Sequence, residues 1–567
     1  MSYFCLRSQI EYLAATIGTG QIHKVLSYND NLCLKLWNSG LKNFHLMFQL
    51  SNQLPSVAFY HKFPEILCVS HFFRHAFTDL LKGCWIREFS MSDRDKVFSL
   101  VLDRGGRFIK GKKIIFLFEF LPRYVNAIVL DENSRILQLF KPDVKNRLVT
   151  GQLYKSPPLP TTLKNVEQFD FDNFENNPDK ASGISGFPRP FLDFLSGKMQ
   201  KKGKLKETVL KIISGDRTFF NPTFIGKGAG QLHCFRESSV ENAISFPDFQ
   251  MLYHHVQNSN WEFSLLQVKN KWLKDIKKKI KSLQSLQKKE EKSLKQALRF
   301  KEIKEKGITI SHNLYRLDNK KKVSSISIKT INSKSEREET INLNGRITIL
   351  ENMNLFFRKS KKLQRSIEPL KKTINLLNLK INYLIQLDYQ IQESATFTGL
   401  AEFEDEIEKL FPQKYGFKSG RKSRKKAVST KKKSTIVPFV ENAGDGWKIY
   451  LGQSSIRNAY ITFKLGKDED FWFHVHQAPG AHVLLKYPHH MNKEIENEFC
   501  FMLAAALAVI YSKKRGGGKT LVDFTRKKNL IRRKGFPQGY VTYKKYQQIR
   551  VDPQQECFKD YLNGGKF

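Results

Sequence analysis

Apolar and polar positions alternate, between turn-forming residues, over residues 1–160, and this pattern predicts a mixed α+β domain. Two pairs of strand-like runs are each interrupted by a short polar turn, YND at 28–30 and DEN at 131–133. Between them, residues 64–81 (PEILCVSHFFRHAFTDLL) place apolar side chains three or four apart, which predicts an amphipathic helix. The proline-rich segment 155–165 (KSPPLPTTLKN) then predicts a linker.

Two long stretches, residues 248–306 and 352–392, keep apolar residues on one helical stripe and lysines elsewhere. A short, polar, strand-like insert at 307–350 separates them. We therefore predict an antiparallel coiled-coil arm over residues 248–400, in which Pro369 should kink or restart the second helix. A solvated coiled-coil face is the common explanation of such charge. Here the excess of Lys and Arg over acidic residues favours contact with RNA.

Three further regions complete the multidomain α+β chain. Residues 161–247 predict short helices around ASGISGFPRPFLDFL and a glycine-punctuated hairpin, and residues 401–434 predict a flexible basic linker. Residues 435–555 predict a compact α+β domain. Its elements would be strands at AYITFKL, DFWFHVH and AHVLLKY, an apolar helix at EFCFMLAAALAVIYSKK and a closing strand pair at YVTYKKYQQIRV.

The chain is strongly basic, with 96 Lys and Arg against 54 Asp and Glu in 567 residues and a formal net charge of +42. This excess predicts a polyanionic partner, nucleic acid before an anionic membrane surface. Heavy use of Lys, Phe, Ile and Asn is also typical of an AT-rich genome, which would account for part of the lysine. No apolar run reaches the roughly 18 residues that a membrane span needs, so we expect no membrane partner.

The sequence offers no candidate for catalysis, a metal or a cofactor. The seven cysteines are scattered without a Cys-x-x-Cys pair, which argues against a zinc knuckle or a disulfide framework and predicts a reducing, intracellular compartment. The first residues lack the features of a signal peptide. KKRGGGKTL has Lys513 where a Walker A motif needs glycine, and no Ser-His-Asp, Cys-His or paired-carboxylate arrangement emerges. We therefore predict a binding protein rather than an enzyme.

The most specific string is DFWFHVHQAPGAHVLL, Asp470 to Leu485. At strand period two, Trp472, His474 and His476 share one face, opposite Phe471, Phe473 and Val475. Three interpretations remain open. The histidines, with His482, could bind a metal, or they could be ordinary core residues. Alternatively, the Trp/His face could be an RNA platform, ringed by Lys464, Lys467, Lys486 and the basic run Lys513 to Arg533.

This string resembles the C-terminal RNA-binding domain of the NFACT family, NFACT-R. The family pattern Asp-x-Trp-x-His followed by Pro-Gly-Ser-His-Val matches it with Ala481 in place of serine. VDFTRKKNLIRRKGFPQGYVTY resembles a downstream family segment, and LGQSSIRN has Gln453, Ser454 and Ser455 where the family has an arginine and two asparagines. The RNA-binding residues implied by the resemblance are Gly452, Asn458, Asp470, Trp472, His474, Gly480, His482, Asp523, Thr525 and Lys534.

The resemblance extends through the chain in family order. It implies an N-terminal NFACT-N domain, a small helix-hairpin-helix region at GISGFPRPFL, the coiled-coil arm and the NFACT-R domain. Asp93 and Arg94 stand where the family has an Asp-Arg pair implicated in recruiting tRNA, and Asp103-Arg104 is a second such pair nearby. Arg123 and Asn126 match a further family segment and are implied to bind tRNA.

The resemblance also implies a function. Family members act in ribosome quality control: they bind a large ribosomal subunit obstructed by peptidyl-tRNA and recruit charged tRNA, alanyl-tRNA in bacteria, so that the nascent chain gains a C-terminal tail. The nascent chain would be contacted indirectly, and no DNA partner is expected. The alternatives are a general RNA-binding protein without tailing activity, a matrix-binding adhesin and a DNA-processing enzyme. GAHVLLKYP and SIEPL resemble the cyanobacterial and plastid branch, which favours the plastid stroma over a bacterial cytoplasm.

Overall fold

The computed structural model divides into two compact units, Met1–Val268 with Ala395–Ala401, and Lys269–Ser394 with Glu402–Phe567. The division falls inside one long helix. The structure describes residues 3–52, 54–92, 96–105, 111–121, 124–142, 147–157, 207, 210–211, 220–225, 231–233, 243–332, 335–415, 439–442, 446–486, 488, 498–532, 539–555 and 558. Within these ranges, no helix combines the length and the apolar composition that crossing a bilayer requires.

The first unit is built on a ten-stranded antiparallel sheet with the order β10-β9-β8-β7-β6-β1-β2-β3-β4, in which β5 pairs with β1. Helix α1, Tyr3–Ile17, precedes it. The strands are β1 Gly20–Tyr28, β2 Asn31–Asn38, β3 Lys42–Gln49, β4 Ser56–Tyr60, β5 Phe73–Arg74, β6 Trp85–Met91, β7 Val97–Asp103, β8 Lys113–Glu119, β9 Asn126–Asp131 and β10 Ile136–Leu139. Both predicted turns are confirmed: Asn29 at positive φ joins β1 to β2, and Ser134 at positive φ lies between β9 and β10.

Phenylalanine rings fill the core of this sheet. The rings of Phe48 and Phe118 stack 4.1 Å apart between centroids, and Phe98 stacks on Phe118 at 4.9 Å. All three are buried, which is the arrangement expected where every second residue of neighbouring strands faces one apolar layer.

The amphipathic helix predicted for residues 64–81 is largely wrong. The segment forms a 3₁₀ turn at Val69–His71, then β5, and only Phe77–Leu81 is helical, here α2. Pairing of β5 with β1, through Leu26 opposite Arg74, and burial of Phe72 beside Trp261 hold the chain extended. Tertiary packing therefore overrides the local helical pattern.

A small three-stranded antiparallel sheet follows in the first unit, with the order β12-β11-β13. Its strands are β11 Thr223–Ile225, β12 Gln231–His233 and β13 Ala243–Ser245. The β11–β12 pair confirms the predicted hairpin. The predicted helix-hairpin-helix segment at 183–192 and most of the basic linker at 401–434 lie outside the described residues.

Long helices dominate the middle of the chain: α3 Phe249–Leu298, α4 Phe300–His312 and α5 Ile349–Glu393. α5 runs antiparallel to the preceding helices. Ser360 Oγ donates to the carbonyl of Phe300 at 2.9 Å, whereas at the opposite end Lys269 Nζ donates to the carbonyl of Gln392 at 2.6 Å. The long helical hairpin is therefore present, and its description as a coiled coil stays a prediction.

Pro369 does not restart α5, which continues through it. Pro369 has no N–H to donate to the carbonyl of Arg365. Both residues are exposed, so water can donate a hydrogen bond to that carbonyl. The predicted strand insert is a hairpin of β14 Ser325–Asn332 and β15 Ser335–Asn342. Its buried side chains pack with the ends of α4 and α5 in a small core formed by Ile310, Ile326, Ile328, Ile341 and Ile349.

Three short helices, α6 Phe397–Ala401, α7 Glu404–Leu410 and α8 Pro412–Tyr415, follow α5. The last domain is a six-stranded antiparallel sheet with the order β16-β17-β19-β18-β20-β23. Its elements, with the separate hairpin β21–β22, are β16 Phe439–Asn442, β17 Lys448–Gly452, α9 Ser455–Tyr460, β18 Phe471–Val475, β19 His482–Lys486, α10 Glu498–Ile510, β20 Thr520–Arg526, β21 Leu530–Arg532, β22 Val541–Tyr543 and β23 Gln547–Val551.

Two predictions for this domain are wrong. AYITFKL is not a strand: α9 continues into a π-helical turn, Ile461–Leu465. The side chain of Ser454 starts this helix by accepting the backbone N–H of Arg457 at 3.3 Å, a local signal that the β-branched residues conceal. The closing strands do not pair with each other either, because β22 pairs with β21 and β23 pairs with β20.

Candidate nucleic-acid interface

The period-two pattern of β18 is confirmed. Phe471, Phe473 and Val475 are buried, and the two phenylalanines join the core formed with α10. α10 supplies mainly small buried side chains, Ala504, Ala505, Ala506 and Ala508. Because alanines let a helix approach a sheet closely, this face of the sheet is sealed. The motif residues of β18 therefore lie on the face opposite α10.

Cross-strand pairing brings the motif residues into one line. Gly452 of β17 lies opposite His482 of β19, His474 of β18 opposite Asp523 of β20, and Asp523 opposite Gln548 of β23. The rings of His474 and His482 are 5.6 Å apart between centroids. Directly opposed residues of adjacent strands share a face. We call Gly452, His482, His474, Asp523 and Gln548 the polar row.

Trp472 is not an exposed stacking platform, one of the three interpretations of the sequence, since only 1% of it is accessible. The rings of Tyr543, on β22, and His482 pack edge-on against the Trp472 ring, with centroid distances of 5.1 and 4.9 Å. The ring of His474 lies parallel to the Trp472 ring, with centroids 5.6 Å apart. Trp472 Nε1 has no hydrogen-bond partner within the part of the chain that the structure describes. Trp472 is enclosed by these rings, and because His482 is itself only 2% exposed, any surface for a base is formed by the half-buried Tyr543 and His474.

The two histidines of the polar row are uncharged near neutral pH. Loss of solvation lowers the pKa of His474 to about 4, against smaller opposing effects that include the nearby Asp523 carboxylate. Burial, and then the neighbouring His474, lowers the pKa of His482 well below its ordinary value. Neutral imidazoles stack and hydrogen-bond but do not pair with phosphate. This part of the site therefore suits bases or sugars, and cations must come from its surroundings.

Asp523 organises the other end of the polar row. Its carboxylate is 3% exposed and accepts Tyr543 Oη at 2.7 Å and Gln548 Nε2 at 2.9 Å. His476 Nδ1 lies 2.9 Å from both carboxylate oxygens. Groups of the protein itself therefore occupy the hydrogen-bond-accepting positions of the Asp523 carboxylate. Asp523 is therefore a positioning residue for Tyr543, His476 and Gln548.

Asp470 and Thr525 hold basic loops. Asp470 Oδ2 accepts the backbone N–H of Lys467 at 2.7 Å, and the Asp470 carbonyl accepts that of Lys527 at 2.9 Å. Thr525 Oγ1 donates to the carbonyl of Lys545 at 2.6 Å. Both motif residues are buried, so they act by placing lysines around the polar row rather than by touching a ligand.

Two glycines permit close packing that a side chain would prevent. A Cβ at Gly452 would lie 2.5 Å from Asn458 Oδ1, the atom that accepts the backbone N–H of His482 at 3.1 Å. A Cβ at Gly480 would lie 2.9 Å from Ser512 Cβ. Asn458 is fully buried. Gly452 and Asn458 therefore fix the backbone from which His482 projects.

The surroundings of the polar row are strongly basic. From Lys513 to Arg550 the sequence has thirteen Lys and Arg and a single acidic residue, Asp523. Part of this charge is neutralised, for example in the 2.6 Å pair of Lys527 with Asp468. Lys544, Lys545 and Arg550 are exposed and form no ion pair with any residue in the described ranges. Cations around a row of neutral rings are the combination that single-stranded nucleic acid requires.

The metal hypothesis for the histidines gains no support. Among the described residues, no group of three or more His, Cys, Asp or Glu side chains could hold an ion. His476 lies beyond the end of β18, and its Nδ1 is bonded to the Asp523 carboxylate.

The chain is similar to a family model and to curated proteins. A family model described as the NFACT N-terminal and middle domains matches residues 199–428. The Rqc2 homolog RqcH of Streptococcus suis is 23% identical over 498 residues, which cover 84% of each chain. The Rqc2 homolog RqcH of Bacillus subtilis is 28% identical over 268 residues, 47% of this chain and 44% of the relative. These matches support an NFACT family member.

A solved structure is also similar to this chain. It is the C-terminal part of the fibronectin/fibrinogen-binding protein of Streptococcus suis, 23% identical, which covers 53% of this chain and 99% of its own. Its TM-score of 0.37 is too low for a comparison of the folds.

Of the tRNA-binding residues that the NFACT resemblance implies, only Asn126 lies within the described residues; Asp93, Arg94 and Arg123 lie outside them, as does Lys534 of the RNA-binding set. Asn126 is buried: its Nδ2 donates to the carbonyl of Lys141 at 2.9 Å, and its Oδ1 accepts the N–H of Lys141 at 3.0 Å. Both ends of the amide therefore hold the chain around Lys141. A role for Asn126 in tRNA binding stays a prediction and would be indirect.

The second Asp-Arg pair, Asp103-Arg104, lies within the described residues. Asp103 Oδ1 accepts the backbone N–H of Gly105 and of Gly111, each at 2.7 Å, and Asp103 Oδ2 pairs with Arg87 at 3.1 Å. These bonds, the two backbone N–H groups above all, lower the pKa of Asp103. The carboxylate closes its own loop, so it does not hold the adjacent Arg104 for a ligand.

Tyr543 and Gln548 belong to the site but were not among its predicted residues. Each comes from a closing strand that is far in sequence from β18, and each contacts Asp523. The spacing within YVTYKKYQQIRV gives strand periodicity but not the partner strands. Only the pairing of β23 with β20 places Gln548 beside Asp523.

Proposed function

We propose that this chain is a ribosome quality-control factor of the Rqc2 kind that binds a large ribosomal subunit obstructed by peptidyl-tRNA. It would recruit charged tRNA, alanyl-tRNA by family resemblance, for tailing of the stalled chain without mRNA. The ribosome would perform peptidyl transfer, and this protein would supply positioning. The observation that supports this most is the assembly of the NFACT-R motif residues into one polar row encircled by cations.

The three regions would divide this work. The polar row and its lysines would hold RNA through neutral rings and phosphate contacts. Residues 249–312 and 349–393 carry 23 Lys and Arg against ten Asp and Glu, so most cations of the long helices cannot be paired within them. They would lie along ribosomal RNA. The N-terminal unit would contact tRNA around Asp93 and Arg94, in the plastid stroma or a bacterial cytoplasm.

Affinity purification of the tagged full-length protein, followed by sequencing of the bound RNA, tests the proposal. We expect large-subunit rRNA together with one tRNA family. Asp93→Ala with Arg94→Ala should abolish tRNA recovery and leave rRNA recovery intact, because the two RNAs would be held by different units. Bulk mRNA or DNA fragments in place of rRNA would contradict the proposal. Unchanged tRNA in the double variant would show that another pair recruits it.

A further inference from the structure

The loop that follows Gly452 at one end of the polar row is held by carboxylates of the same unit. Ser454 Oγ donates to Glu402 Oε2, and Arg457 Nε donates to Glu402 Oε1 at 3.1 Å. Glu406 accepts Tyr383 Oη at 2.5 Å and a hydrogen bond from the side chain of Ser455. The donors of this loop, two hydroxyls and a guanidinium, therefore converge on two acidic side chains that α7 and the residues before it provide.

The loop is rigidly joined to the polar row. Gly452, directly before it, pairs with His482, and Asn458, directly after Arg457, accepts the backbone N–H of His482 through Oδ1 at 3.1 Å. Gly539 packs so closely on the loop that a Cβ there would lie 2.3 Å from the carbonyl oxygen of Ser455. A nucleic acid strand that follows the polar row therefore reaches these donors at its end.

Hydroxyl and guanidinium donors are the groups that bind phosphodiester oxygens in protein–RNA complexes. A carboxylate presents the same paired, negatively charged acceptors and competes for the same donors. We propose that Glu402 occupies a phosphate-binding place at the end of the polar row and that an RNA phosphodiester displaces it. The contact is autoinhibitory, and the proposal rests on the RNA-binding function proposed above.

Glu402 and Glu406 have different roles in the autoinhibitory contact. The side chains of Glu402 and Arg457 are 21% and 23% exposed, so solvent and a ligand reach their ion pair. Burial is the main effect on Glu406 and raises its pKa, and its partner Tyr383 is 8% exposed. Glu402 is therefore the residue that leaves, and Glu406 is the anchor that keeps the segment in place.

The test measures binding of a fluorescent, unstructured 30-nucleotide RNA to the full-length protein between about 50 and 300 mM salt. Glu402→Gln should bind about three- to tenfold more tightly than the wild type. Its plot of log affinity against log salt should be steeper by about 0.7, the value for one added phosphate contact on a single strand. Glu402→Ala, which removes the acceptor entirely, should show the same change. Adding Arg457→Gln to Glu402→Gln should restore the wild-type slope.

Asp405→Asn is the matched control. Asp405 is an exposed side chain three residues after Glu402, and its replacement removes the same charge. An equal gain in Asp405→Asn would reduce the effect to overall charge and overturn the proposal. Unchanged or weaker binding by Glu402→Gln and Glu402→Ala, with a wild type that binds RNA, would overturn the autoinhibitory contact alone. Absence of binding by the wild type and by both Glu402 variants would overturn this contact together with the RNA-binding function.

Discussion

Each of the two large sheets buries a carboxylate that accepts a tyrosine hydroxyl, yet the two are balanced in different ways. In the first unit, Glu119 is fully buried, accepts Tyr154 Oη at 2.8 Å and receives both terminal nitrogens of Arg147, at 2.6 and 2.9 Å. In the C-terminal sheet, Asp523 accepts Tyr543 Oη at 2.7 Å, Gln548 and His476, without an Arg or Lys partner among the described residues.

The difference separates a structural ion pair from an organiser of a binding surface. A bidentate arginine neutralises the charge of Glu119 inside the protein. The pair therefore has little electrostatic effect on other groups. Asp523 is bonded by groups that themselves line the polar row, and His476 is 23% exposed. A change at Asp523 therefore moves Tyr543 and His476 at the surface, whereas a change at Glu119 is confined to the fold of the first unit.

Loss of Arg147 should give the largest effect on stability. Arg147→Ala leaves the Glu119 charge buried and unpaired, which costs about 3–5 kcal/mol. Hydrogen exchange of the β8 segment, Lys113–Glu119, should accelerate at least about 100-fold in mass spectrometry, because about 1.4 kcal/mol corresponds to a factor of ten. Binding of an unstructured 30-nucleotide RNA should be unchanged. The exposed Arg135, replaced by alanine, is the control and should change neither quantity.

Asp523→Asn should differ from Arg147→Ala by lowering RNA affinity as well as stability. We expect about 2 kcal/mol of destabilisation in β20, because charged hydrogen bonds become neutral, and about a tenfold loss of RNA affinity as Tyr543 and His476 lose their alignment. Hydrogen exchange of Thr520–Arg526 and fluorescence anisotropy measure the two effects. Tyr543→Phe removes one of the donors and should cause a smaller loss. Wild-type affinity in Asp523→Asn would show that Asp523 is as purely structural as Glu119.

The sequence was sufficient to predict the local strand patterns of this site, but it was insufficient to predict which strands come together to form it. Alternation in DFWFHVH correctly placed Phe471 and Phe473 against the core, since strand period two is a local property. The exposure of Trp472 could not be derived locally, because Tyr543, 71 residues further along the chain, covers it. The polar row joins five strands that are separate in sequence, so only the strand order reveals it.

Misassigned segments show the same limit in the fold. Residues 64–81 have helical spacing but are held extended by β1, and AYITFKL has strand composition but follows the Ser454 helix cap. In both segments a contact outside the window of the pattern decides the conformation. Long helices were predicted correctly because their periodicity extends over 40 or more residues and outweighs such contacts.

The buried histidines of the polar row make the stability of the C-terminal sheet depend on pH, which is a smaller effect. His474 has a pKa of about 4 in the folded protein and close to 6.5 when unfolded. Between these values the unfolded state binds more protons, so stability falls as the pH decreases from 6.5 toward 4 and is insensitive to this group above pH 7. The loss from pH 7 to pH 5.5 should be about 1 kcal/mol. His482, whose pKa is also lowered, adds to it in the same direction.

Scanning calorimetry at pH 5.5 and pH 7 measures this loss, and His474→Gln should reduce it because glutamine does not titrate. Arg135→Ala provides the contrast: it changes an exposed side chain and leaves both histidines in place, so this variant should keep the full pH dependence of the wild type. RNA affinity should not rise between pH 7 and pH 6, since His474 stays neutral throughout. A rise that His474→Gln abolishes would mean that this histidine binds phosphate as a cation, and the division between neutral rings and surrounding lysines would then be wrong.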